Sequence, residues 1–231
     1  LLFIAAFGFL MIKEDTGYAG NYSGIIHVIR SIPRVIKSES NLINFIILVN
    51  LISLGITIIP FYVVFSKSIF GLTNNQVGNY LFLLFLGMII STFFWGLVAN
   101  RFRYKGVSFG CIVIGGLLPI TALIVSRFGM GVYQWIFFLA GFSISATKIS
   151  YQGILLEITN NDNRAIFTGI VGTLSLTTAL FPLIAGILIK HFGFNVVFIM
   201  ISPMVITAIF FLWRIRCPAD EVPAKVSPVG Q

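Results

Sequence analysis

WGLVANRFRYKG, residues 95–106, is a short basic stretch set between two long apolar runs, Val77 to Ala99 and Val107 to Val125. It carries Arg101, Arg103 and Lys105. Lys and Arg beside membrane spans collect on the cytoplasmic side. The stretch therefore predicts a cytoplasmic turn, and with it the direction of every other span. Taken alone, a basic turn between two membrane helices is no more than a topology signal.

The composition supports a bilayer setting. Of the 231 residues 58% are hydrophobic and 10% charged, where a soluble domain has about 25% charged residues. Such a chain lacks the polar groups to cover its own surface, which excludes a soluble globular domain. The 24 Phe residues agree with lipid as the solvent. A net charge of +8 would raise nucleic-acid binding in a soluble protein. Here most Lys and Arg lie between apolar runs, so the expected partner is the lipid bilayer and not nucleic acid. Cys111 lies in an apolar run and Cys217 in a polar tail, and His27 and His191 lack ligand-type neighbours. No disulfide, metal or other cofactor is expected. No Gly-x-x-x-x-Gly-Lys loop is present, which argues against ATP-driven pumping by this chain.

Residues 1–12, LLFIAAFGFLMI, lack the basic leader and cleavage site of a signal peptide. They fall short of the roughly 20 residues that a spanning helix needs. They read as the end of a preceding transmembrane helix, which would make the sequence a fragment. Residues 13–40 form the longest polar break. There Ile25, Ile29, Ile32 and Ile36 recur at helical spacing while His27, Arg30, Arg34 and Lys37 face away. This suits an interfacial amphipathic helix on a cytoplasmic linker, divided at Pro33; a polar linker with chance periodicity is the competing reading. Six runs follow within 41–214, at about Leu42–Phe65, Val77–Ala99, Val107–Val125, Val132–Leu156, Ile166–Ile189 and Val196–Trp213. Each is near one bilayer crossing. Residues 215–231 read as a mobile cytoplasmic tail. The expected fold class is an all-α integral membrane protein with a six-transmembrane-helix bundle.

A tally of cations tests the orientation. With the Arg101 turn inside, Lys13, Arg30, Arg34, Lys37, Arg101, Arg103, Lys105, Arg164, Arg214, Arg216 and Lys225 are inside. Lys67, Arg127 and Lys190 are outside, and Lys148 falls within a span. Eleven against three is a positive-inside pattern, with linker and tail both cytoplasmic.

The basic turn resembles a loop motif of the major facilitator superfamily, Gly-x-x-x-Asp-Arg-x-Gly-Arg-Arg/Lys, which follows the second helix of each half. Gly96, Arg101 and Lys105 stand at matching positions. Asn100 replaces the Asp, Arg103 the second Gly, and Tyr104 the first of the two basic residues. Two further stretches carry the likeness, IIPFYVVFSKSIFGLTNNQVGNYLF and ILLEITNNDNRAIFTGIVGTL, the second followed by LFPLIAGILIKHFGFNVVF. Glu157 and Arg164 stand at the Glu and Arg positions of a loop pattern in that family. The resemblance implies helices seven to twelve of a secondary carrier, working with an N-terminal six-helix half to move a small-molecule solute by alternating access. It also implies that the first, second, fourth and fifth spans line the pathway.

Lys148 is the sharpest local feature. It lies about 13 Å of helix before Glu157, and an ionisable residue at such depth costs about 2.5–3.5 kcal/mol unless it meets a cavity or partner. Thr147, Tyr151 and Gln152 accompany it. Lys148 is expected to face the pathway and meet an anionic group of the solute or a carboxylate of the other half; a structural or snorkelling Lys is the alternative. Asn50, Ser53 and Thr57 form a polar stripe that suits either a cavity wall or helix glue. Gly169, Thr173 and Thr177 read as close packing, and Pro182 with Gly186 as a bend. Glu157 and Arg164 flank an inside loop and are expected either to pair at a gate or simply to be solvated. No Asp or Glu lies deep in the spans, so any proton-coupling carboxylate is expected in the other half. The rivals are a membrane enzyme, disfavoured by the absence of a His or acidic cluster, and a half-size protein acting as a dimeric carrier, scaffold or receptor.

Overall fold

A computed structural model describes residues 40–71, 74–159, 164–175 and 177–216. The expected helix end at 1–12, the linker up to residue 39 with its amphipathic helix, and the tail from Cys217 lie outside the described residues. Helix α1 spans Ser40–Thr57, α2 Ile59–Phe70 and α3 Asn74–Val125. After a 3-10 turn at Ser126–Phe128 come α4 Met130–Tyr133, α5 Trp135–Ile158, α6 Arg164–Leu174, α7 Thr177–Ile206 and α8 Ala208–Arg214.

Among the described residues, four stretches are long and apolar enough to cross a membrane: Ser40–Phe70, Asn75–Phe128, Met130–Ile158 and Ile166–Arg214. The sequence predicts six. Two of the four are interrupted by an interior residue with a non-helical backbone. Arg103 (φ 60°, ψ −173°) interrupts α3, and Gly193 (φ 80°, ψ 168°) interrupts α7.

The break at Arg103 turns the chain back on itself. A straight α3 would be about 78 Å long, more than twice the hydrocarbon core of about 30 Å. Instead Trp95 lays its ring on Gly110. Thr92 and Ser145 hydroxyls hydrogen-bond at 2.9 Å, while Cys111 Sγ meets Thr147 Oγ1 at 3.0 Å. Thr92 and Cys111 would lie about 28 Å apart along a straight helix, yet their partners are neighbours on α5. So α5 is packed against both arms of a hairpin. The first arm approaches it closely through glycines: a Cβ on Gly87 would strike the Phe138 carbonyl, and one on Gly141 the Leu84 carbonyl. Small residues let membrane helices meet backbone to backbone.

α1 and α2 serve as a ruler for the second break. Asn50 bonds Thr177, Phe65 tilts against Phe194 at 5.3 Å, Tyr62 meets Phe198 edge-on at 5.2 Å, and Asn41 bonds Arg216. The chain therefore climbs from Thr177 to Gly193 and descends again. The sequence places a bend at Pro182 and Gly186; helical dihedrals continue through both, and the non-helical residue within α7 is Gly193. A Cβ at Gly169 meets nothing within 4 Å, so the close packing expected there is absent among the described residues, although Thr177 does engage Asn50.

One end of this unit holds an aromatic cluster. Tyr62, Tyr80, Tyr133 and Phe137 are buried, Tyr80 stacks on Phe137 at 4.4 Å, and the Tyr133 hydroxyl donates to the Tyr62 carbonyl at 3.0 Å. Along the first arm of α3, Phe82, Phe85, Ile89, Phe93 and Leu97 stay exposed. That face suits lipid or a partner, not water.

Candidate functional site

α5 carries two different faces. Ser143, Ser145 and Ser150 are buried, and Thr147 closes a bond to the Ser143 carbonyl at 2.9 Å as well as reaching Cys111. Tyr151 tilts against Phe45 at 5.6 Å and borders a hole of about 20 Å³. Lys148 and Gln152 lie one turn apart on the opposite side and are exposed. The polar patch read from the sequence is therefore split, with Thr147 and Tyr151 turned inward. Lys148 has no ion-pair or hydrogen-bond partner among the described residues. It lies about 15 Å of helix from the end of α5, half the thickness of a typical core.

The α1 stripe is occupied by local bonds. Ser53 donates to the Val49 carbonyl at 2.7 Å and Thr57 to the Ser53 carbonyl at 2.8 Å. Asn50 does something the sequence did not predict. Its amide donates to the Leu174 carbonyl at 3.1 Å, and its oxygen accepts from the Thr177 hydroxyl at 2.7 Å and the Thr177 N–H at 3.3 Å. One side chain thus clasps both sides of the break between α6 and α7, supplying partners to backbone groups that an interrupted helix leaves orphaned.

At the basic end, α3 stays helical to Phe102 and resumes at Tyr104. The turn is one residue, not the loop the sequence implies. Gly96, Asn100 and Arg101 are exposed, and a Cβ on Gly96 meets nothing within 4 Å. Lys105 is half-buried. Glu157 pairs with Arg103, Nη2 to Oε1 at 2.9 Å, and not with Arg164. The side chains are 39% and 12% exposed. Packing explains the choice: the Tyr104 ring lies directly on Gly153, which brings the next turn of α5 beside Arg103. Glu157 Oε2 and Arg164 Nε are both buried without a partner among the described residues. The sequence names Arg103 at the motif's second Gly position; what it does not foresee is the pairing of Arg103 with Glu157.

With the hairpins, the basic turn and the unpartnered Lys148 in place, the comparison with known families is decisive. The model of the Major Facilitator Superfamily matches residues 43–229. The chain belongs to the major facilitator superfamily. It is therefore a membrane protein of transporter type. No curated protein and no solved structure gives a significant match. In this superfamily member the motif's second Gly position is occupied by Arg103, the one non-glycine residue with positive φ among those described. A backbone at φ 60° and ψ −173° is essentially glycine territory, so the departure from the motif falls where it strains the backbone most.

Proposed function

We propose that this chain forms the second six-helix half of a carrier that moves a small solute by alternating access, together with a companion six-helix half. The two fold-backs support six crossings: one from α1 and α2, two from the arms of α3, one from α4 and α5, and two from the arms that meet at Gly193. The surplus of cations at the Arg103 end supports placing that turn, the linker and the tail on the cytoplasmic side. No nucleic-acid partner enters this reading.

The observation that carries it is Lys148, exposed at mid-depth with no partner of its own among the described residues. Its four-carbon stem is too short to bring the ammonium to either interface from there. A lysine held so deep needs water, an anion or a carboxylate. In a carrier the first two are supplied by the pathway, and Gln152 one turn on extends the polar strip. Asn50 ties α1 to α6 and α7, while Ser53 and Thr57 bond within α1.

A single cysteine at position 148, with Cys111 and Cys217 replaced by Ser, tests this. Membrane-impermeant thiol reagents should label it, with access from one side of the membrane increasing as access from the other decreases. A position sealed from both sides would sink the pathway role. Lys148→Ala should abolish uptake of anionic solutes into proteoliposomes, and Lys148→Arg should keep part of it.

A further inference from the structure

Two cavities adjoin at the Arg103 end of the bundle. The first, of about 440 Å³, is an apolar cleft between the α3 turn and α8, lined by Val98, Phe102, Phe109 and Leu212, with Lys105 beside them. The second, of about 580 Å³, lies between the start of α1 and the chain leaving α8. Asn41, Asn44, Arg214 and Arg216 wall it. Trp213 lines both cavities and is 76% exposed.

The polar cavity is built, not incidental. Asn41 donates to the Arg216 carbonyl at 2.9 Å and accepts from the Arg216 N–H at 3.0 Å. This two-way bond fixes the end of the described chain against the start of α1 and brings Arg216 beside Arg214. The Arg214 guanidinium lies 5.3 Å from the Phe210 ring. Asn44 is only 8% exposed, lines the same cavity, and has no hydrogen-bond partner among the described residues. Its amide is not among the sealed, unmatched polar atoms, so it is open to the cavity and free to donate to an acceptor bound there.

An acceptor between two arginines is anionic. Its immediate neighbour is a hydrocarbon-lined cleft, and the residue at the junction is a Trp, the side chain that favours the level of lipid headgroups. Basic pockets between helices at that level hold anionic headgroups. We infer that the two cavities together hold one anionic glycerophospholipid. Its phosphate sits between Arg214 and Arg216 with Asn44 donating to it, and an acyl chain lies in the cleft against Phe102 and Phe109. A free phosphate would leave the cleft empty, and a zwitterionic lipid would bring a third cation to a site already holding two. Only the choice of leaflet rests on the orientation proposed above.

The test is native mass spectrometry of the intact protein taken from nanodiscs with equal phosphatidylglycerol and phosphatidylcholine. The protein should retain phosphatidylglycerol about tenfold over phosphatidylcholine. Arg214→Gln with Arg216→Gln should bring the ratio to within about twofold. Both arginines are exposed, so this variant should keep the wild-type melting temperature in detergent. Val98→Trp, which fills the cleft, should remove the retained lipid while both arginines stay. Equal retention of the two lipids, or an unchanged ratio in the arginine variant, would overturn the inference. Complete displacement of the lipid by millimolar inorganic phosphate would overturn it too, in favour of a free-anion site. None of these readings depends on transport, so a failure here leaves the alternating-access proposal standing, and the reverse holds.

Discussion

The two long helical stretches of this protein each reverse at a single residue of positive φ, and the two residues could hardly differ more. Gly193 adopts φ 80° and ψ 168° with open space around it; Arg103 adopts φ 60° and ψ −173°. Both angles lie where only glycine rests comfortably, and a side chain held there costs about 1–3 kcal/mol. At Gly193 the chain turns by removing the obstacle. At Arg103 it turns in spite of it, and the same side chain reaches Glu157. The contrast teaches that one turn is built for stability alone, whereas the other gives up conformational comfort for a charge contact between α3 and α5.

The sharpest way to break this contrast is to place a side chain at the comfortable turn. A Cβ at position 193 meets nothing within 4 Å, so Gly193→Ala adds no clash and only imposes the backbone cost. We expect a loss of about 1–3 kcal/mol, read as a lower melting temperature in detergent, with Gly193→Val worse than Gly193→Ala. A melting temperature equal to wild type would mean that the turn readily relaxes to another conformation.

The converse change comes next. Arg103→Ala and Arg103→Gly both remove the guanidinium, so they differ only in backbone preference. The glycine variant should be the more stable by about 1–2 kcal/mol. If the two melt together, position 103 is not held at positive φ and its departure from the motif is neutral.

Much of this arrangement could be read from residues alone, and the parts that could not share a physical cause. The apolar runs mark helices of membrane type, and the cluster of Arg101, Arg103 and Lys105 locates a turn, because composition and charge act locally. Lys148 stands out for the same reason. What escapes is anything set by contacts between distant segments. Spacing points Glu157 toward Arg164, seven positions on, but the Tyr104 ring on Gly153 delivers it to Arg103 instead. Asn50 looks like part of a polar stripe until the break between Leu174 and Thr177 gives its amide two strands of backbone to hold. The turn itself is hidden because a loop of several polar residues and a one-residue reversal have the same composition.

The smallest expected effect is the one that separates strain from charge at Arg103. Glu157 is 12% exposed and Arg103 39%, so solvent reaches the cation and screens the pair. Partly exposed ion pairs contribute about 0.2–1 kcal/mol. A double-mutant cycle with Arg103→Gly and Glu157→Gln measures that coupling with the backbone strain removed in both arms that lack the arginine. Glu157→Gln alone should destabilise slightly, since the amide still accepts one bond from Arg103. In the Arg103→Gly background the same change should become neutral or stabilising, because Oε2 is already buried without a partner among the described residues, and a carboxylate without its cation is costlier to hold there than an amide. A reversal of sign between the two backgrounds would establish that Arg103 and Glu157 are coupled, by less than the strain of about 1–3 kcal/mol that Arg103 carries. The same small sign in both would leave the strain without a counterpart on α5.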